Sequence, residues 1–169
     1  MSADQLDAFE VLLIAVRIEQ NGAQYYRAAA QMVDDPKASS LLGQLAQWEQ
    51  RHIQVFSDMR DRLSRQGWER GTFEPRRMEV SDAQMMAGLA VFGIRPQPSA
   101  ELTGKETRRD ILSYALKKEK DTVTFYEGLK DFVFMPEDQD VIDQVLEEER
   151  HHVRLLATAL EQGPPSPGR

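Results

Sequence analysis

Two stretches of this chain, 100 positions apart, carry the same pattern. Laying residues 11–56 over 111–156 without a gap makes nine positions identical: Leu12/Leu112, Ala15/Ala115, Glu19/Glu119, Tyr26/Tyr126, Val33/Val133, Pro36/Pro136, Gln44/Gln144, Glu49/Glu149 and His52/His152. Other pairs keep their apolar character, among them Val11/Ile111, Tyr25/Phe125, Leu42/Ile142 and Phe56/Leu156. An internal repeat of this kind implies two similar helical hairpins that bury their apolar faces against each other. Duplication is its natural reading.

The local signals give the helices their limits. Ser2 with Gln5 reads as a capping box, and an apolar periodicity runs on from Leu6 without proline, predicting a first helix over about 3–33. Asp35 as N-cap and Pro36 at the first helical position open a second, expected to reach about Arg65 and to end at Gly67 and Gly71. Residues 67–104, rich in glycine and proline, form a crossover. Ser81 or Asp82 caps a short helix within it, through Met85, Met86, Leu89 and Phe92. A third helix is expected over about 105–131 and a fourth from Pro136 to about Gln162, with a disordered tail over 164–169. Short links make antiparallel neighbours, and the long crossover lets the third helix start at the far end. The fold class is therefore all-α: one antiparallel four-helix bundle over 1–163, made of two repeated hairpins.

Bulk composition excludes several functions. The net charge of -7 argues against nucleic-acid binding, which needs clustered cations for phosphate neutralisation. No apolar run approaches the roughly 20 residues that span a membrane, and the first residues lack the basic and apolar regions of a signal peptide, so a cytoplasmic location is the default expectation. With no cysteine, disulfides, thiolate catalysis and Cys-ligated metal sites are excluded within these residues. A metal site here has to be built from oxygen and imidazole.

The repeat supplies such a site. Glu19, Glu49, His52, Glu119, Glu149 and His152 each fall in the middle of an apolar stripe, for example Leu12, Ala15, Glu19, Gly22 and Tyr26, at spacings of three and four that share one helix face. Ionised groups inside a core are costly unless paired or bound to metal. One glutamate from each of two helices and Glu-x-x-His from each of the other two is the ligand set of the di-iron and di-manganese carboxylate bundles. Four carboxylates and two neutral imidazoles balance two divalent ions, and the mixed oxygen and nitrogen donors suit iron or manganese. A single Glu-x-x-His on a Glu-rich helix is a weak signal, since a solvated face explains it as well. Two of them, each with a glutamate on the preceding helix in the same register, point to a two-metal centre. Ala15, Gly22 and Ala115 beside the glutamates leave space for metal, solvent or a small oxidant.

Neighbouring residues allow alternatives. Glu148 with His151 also has the three-residue spacing, but it breaks the register of the repeat, so His151 is expected to face outward or to support a ligand. Tyr26 and Tyr126 lie two turns beyond Glu19 and Glu119. They are either core packing or phenols that hydrogen-bond a ligand carboxylate. Trp48 is read as packing rather than an electron relay.

Residues 9–56 and 109–156 resemble the rubrerythrin and ferritin-like di-iron carboxylate family, through Ala15-x-x-x-Glu19, Trp48-Glu49-x-x-His52, Glu119-x-x-Thr122-x-x-Phe125-Tyr126 and Glu147-Glu148-Glu149-Arg150-His151-His152. The resemblance implies a ferritin-like bundle and a di-iron centre oxidised by peroxide or oxygen, in oxidative-stress defence or iron handling. By analogy with the family, Glu49 and Glu149 would bridge the metals, Glu19 and Glu119 would be terminal ligands, and His52 and His152 would each bind one iron. Two departures stand out. Rubrerythrins carry a Cys-ligated iron domain, and this chain has no cysteine. Their third helix offers Glu-x-x-Glu, where this chain has Glu119 and Thr122, a ligand set similar to that of bacterioferritins.

The expected function is thus an oxidoreductase of peroxidase or ferroxidase type. Two iron ions are the expected cofactor, with manganese or zinc as alternatives. Peroxide or oxygen is the expected substrate, electrons come from an unidentified donor, and the chain is expected to form a homodimer without nucleic-acid or membrane partners. The competing readings are a protein that binds or buffers metal without turnover and a structural bundle that keeps the ligands as a buried polar network.

Overall fold

Asp35 and Pro36 set the first hairpin. Asp35 accepts from the backbone N–H of Lys37 at 2.9 Å, and its carbonyl takes the N–H of Ser39, as a residue capping a helix does. In the computed structural model, which describes residues 8–69 and 102–163 (side chains over 8–65 and 102–163), this cap joins helix α1 (Ala8–Met32) to helix α2 (Pro36–Glu69). Helix α3 (Arg108–Leu129) starts at Thr107, whose side chain and that of Asp110 cap each other's backbone N–H groups in a capping box. A 3-10 turn, Lys130–Phe132, leads to helix α4 (Pro136–Glu161), again with proline in the first turn.

The described elements are all helical. Cross-links fix their directions. Ala30 pairs with Ser39 and Arg27 with Gln50, so α1 and α2 are antiparallel; Lys130 with Asp143 and Glu127 with Arg150 say the same of α3 and α4. Between hairpins, α1 packs on α3 and α2 on α4. His52 lies opposite Glu148 and Arg62 opposite Asp138, which makes α2 and α4 antiparallel as well. The bundle holds the 100-residue repeat as an approximate two-fold symmetry.

The apolar stripes close on one another. Leu12, Leu42, Leu112, Ile142 and Leu156 are wholly buried, as are Ala15 and Ala115. Each large aliphatic side chain removed from water stabilises the fold by about 1.5–3 kcal/mol before entropy is counted. No helix among the described residues is long and apolar enough to cross a membrane.

Two boundaries differ from the sequence expectation. Helix α2 passes through Gly67 and runs to Glu69. A glycine near a helix end costs about 1 kcal/mol relative to alanine, too little to stop a helix of this length. Helix α3 begins three residues later than expected, because Thr107 and Asp110 cap it and Gly104, at φ +82°, turns the chain just before. The capping box at Ser2, the short crossover helix, most of the crossover and the tail after Gly163 lie outside the described residues.

Candidate metal centre

Six ionisable side chains meet in the middle of this apolar core. Glu19 comes from α1, Glu49 and His52 from α2, Glu119 from α3, and Glu149 and His152 from α4, and all six are buried. They form two groups of four: Glu19, Glu49, His52 and Glu149, and Glu49, Glu119, Glu149 and His152. Within each group one donor atom per residue lies within 4.8 Å of the others, and the groups share Glu49 and Glu149. His151, one residue away from His152, is exposed.

The imidazoles turn Nδ1 inward. His52 Nδ1 stands 2.8 Å from Glu149 Oε1 and 3.6 Å from Glu19 Oε2. His152 Nδ1 stands 3.1 Å from Glu149 Oε2 and 3.7 Å from both Glu49 and Glu119. Despite the 2.8 Å approach, His52 Nδ1 and Glu149 Oε1 are out of line for a hydrogen bond. Together with Glu19 Oε2 and Glu49 Oε1 they are buried polar atoms with no hydrogen-bond partner. Buried acceptors are almost always satisfied. Four unsatisfied donor atoms around one point are what a cation would complete, and oxygen and nitrogen donors without sulfur suit a hard or borderline divalent ion.

Electrostatics point the same way. Burial and the neighbouring carboxylates Glu19 and Glu149 push Glu49 well above the usual carboxylate range. Glu119 is raised to about 8, by burial and by Glu149, with His152 opposing. Burial alone would raise Glu149 too, but the hydrogen bond from His152 and the closeness of the His52 imidazole outweigh it and hold Glu149 below the ordinary value. Burial also disfavours charge on His52 and His152, yet the carboxylates win and raise them to about 11 and about 9. Without metal, protons carry the positive charge that the cluster needs.

Two tyrosines brace the centre across the hairpins. The Tyr26 phenol donates to Glu119 Oε1, and the Tyr126 phenol donates to Glu19 Oε1. Burial first, and the surrounding carboxylates second, raise both phenols well above their ordinary value, so they stay protonated donors. Of the two readings of these tyrosines, the structure shows both together: they are wholly buried and hydrogen-bonded to the glutamates. Gly22 leaves room in turn, since a Cβ there would lie 3.3 Å from Glu49 Oε2.

Sequence reasoning missed two contacts. Glu148 Oε2 lies 3.1 Å from His52 Nε2, and Trp48 stacks on His152 with ring centroids 4.9 Å apart and an interplanar angle of 11°. Both residues sit one position before a central glutamate, off the apolar stripe. Only the packing of α2 against α4 reveals whom they touch.

No protein-family model and no curated protein matches the sequence. Among solved structures, the chain is similar to a candidate ferritin-like diiron-carboxylate protein from Thermotoga maritima, at 22% identity, over 95% of this chain and 98% of that one, with a TM-score of 0.71. Identity at this level speaks for the fold. With its two antiparallel helical hairpins around a buried Glu/His cluster able to bind metal, the protein has the fold of the ferritin-like di-iron carboxylate proteins.

Proposed function

We propose that the chain is a di-iron carboxylate oxidoreductase of rubrerythrin or ferroxidase type, which reduces peroxide or oxygen with electrons from a donor outside these residues. The observation that carries this reading is the pair of buried four-residue groups that share Glu49 and Glu149. In it Glu49 and Glu149, common to both groups, would serve both ions, Glu19 and Glu119 would each hold one, and His52 and His152 would each offer Nδ1 to one. Converting one peroxide to two waters takes two electrons and two protons, and the centre, when loaded with two ferrous ions, supplies the electrons. Tyr26 and Tyr126 keep Glu119 and Glu19 from swinging away by holding one oxygen of each. Gly22 keeps the space beside Glu49 open, and the apolar stripes on either side exclude bulk water.

Ferrous ion added anaerobically at two per chain, followed by peroxide, tests the proposal. A rapid optical change is expected, followed by continued peroxide consumption when a reductant is supplied. A centre that stays ferrous for minutes would overturn the oxidoreductase reading. Oxidation without any turnover would favour a protein that binds or buffers iron.

A further inference from the structure

Positions 48 and 148 are equivalent under the 100-residue repeat, and each precedes a shared glutamate. From each, a side chain crosses to the histidine on the opposite helix, with different chemistry. Glu148, half-exposed, approaches His52 Nε2 at 3.1 Å and lies 3.7 Å from Arg51. Trp48 instead lays its ring against His152. The near-symmetry of the six inner residues is broken immediately behind the histidines.

That difference bears on how each ring can hold a metal. A carboxylate that accepts the Nε2–H of an imidazole fixes the tautomer, leaves Nδ1 to face the metal and makes the ring a stronger ligand; losing such a partner typically weakens metal binding about 10–100-fold. An indole has a donor N–H and no acceptor, so stacking restrains the plane of His152 without fixing its tautomer. We infer that Glu148 is a positioning residue that makes the His52 half of the centre the tighter of two inequivalent metal sites, while Trp48 leaves the His152 half as the weaker. The inference rests on the metal-centre reading above. Glu148 and Trp48 both line one surface recess, together with Arg51, His151 and Arg154, so Glu148 can be replaced without opening the core.

Manganese(II) titrated into the metal-free full chain, with free ion followed by electron paramagnetic resonance, tests it. Wild-type protein is expected to take up two ions with distinct affinities. Glu148→Ala should weaken the tighter one by about 10–100-fold. Glu148→Gln, whose amide oxygen accepts the same N–H, should stay within several-fold of wild type. In a His52→Ala background, adding Glu148→Ala should cause no further loss, because its effect passes through the ring already removed. Trp48→Phe should leave the tighter ion unchanged. Equal affinities in the wild type, an unaltered tight ion in Glu148→Ala, a Gln variant as weak as Ala, or a full further loss in the His52→Ala background would each overturn the assignment and leave the two-metal reading standing. A folded wild type that binds no manganese(II) would overturn both.

Discussion

The phenol of Tyr26 on α1 donates a hydrogen bond to Glu119 on α3, and the repeat returns the same bond from Tyr126 to Glu19. Each hairpin thereby steadies a carboxylate of the other. Tyr26→Phe leaves one oxygen of Glu119 without its donor inside the core. A buried polar group losing its partner costs about 1–3 kcal/mol, so a lower melting temperature and about tenfold weaker binding of one metal are expected. Calorimetric titration and melting curves check both, and a variant that matches wild type in each would reduce the tyrosine to packing.

Gly22 predicts two effects of opposite sign. Gly22→Ala adds about 1 kcal/mol of helix propensity to α1. The new Cβ, however, stands 3.3 Å from Glu49 Oε2, so the carboxylate shared by both groups has to move by a few tenths of an ångström. Metal-free protein should melt no lower than wild type, while metal affinity falls several-fold. Thermal melts with and without metal read the two effects separately. A gain in both would mean that metal binding does not depend on where Glu49 stands.

The adjacent histidines separate two registers of α4. His152 is buried with Nδ1 facing Glu149, whereas His151 is exposed, its ring centroid 6.2 Å from that of Trp48. His152→Ala should lose or weaken one metal and cripple oxidation, and His151→Ala should keep both metals. Metal content of the two purified variants decides, and the reverse outcome would make Glu148 and His151 the ligands.

Much of this centre was legible in the sequence because the repeat fixes register. A lone Glu-x-x-His says little, but matching Glu49 and His52 to Glu149 and His152 selects the buried histidine from the adjacent pair. The partners behind the rings were not legible. Glu148 and Trp48 lie about 100° around their helices from the central glutamates, where periodicity reads only an outer face. Their contacts arise from the antiparallel pairing of α2 with α4, which no local pattern encodes. The end of α2 was misplaced for a related reason: Gly67 weakens a helix, and whether it stops one depends on what the rest of that helix packs against.

Protons and metal compete for one place, so metal-free stability should depend on pH in a definite direction. Folded His152 keeps its proton up to about 9 and folded His52 up to about 11, while unfolded histidine loses its proton near 6.5. Folded Glu119 keeps its proton up to about 8, well above an unfolded glutamate. The folded state thus binds more protons across this range, and its stability falls as pH rises from about 5 through 9. Glu149, held below its ordinary value, costs stability only when pH falls below the normal carboxylate range. Melting temperatures in chelator at pH 6, 7.5 and 9 should therefore decline. Metal-loaded protein should melt higher with a flatter profile, and metal uptake near pH 7.5 should release protons. A flat profile in chelator would show that these groups are solvated rather than packed together.

The central claim is that the two groups sharing Glu49 and Glu149 each hold a metal ion. Metal content per chain, measured on folded protein after loading and exhaustive dialysis, tests it most directly. Two ions per chain are expected in the wild type, and loss of both in a Glu49→Ala, Glu149→Ala double variant, which removes the residues common to both groups. A folded wild type with far fewer than two ions, or a double variant that still holds two, would contradict it.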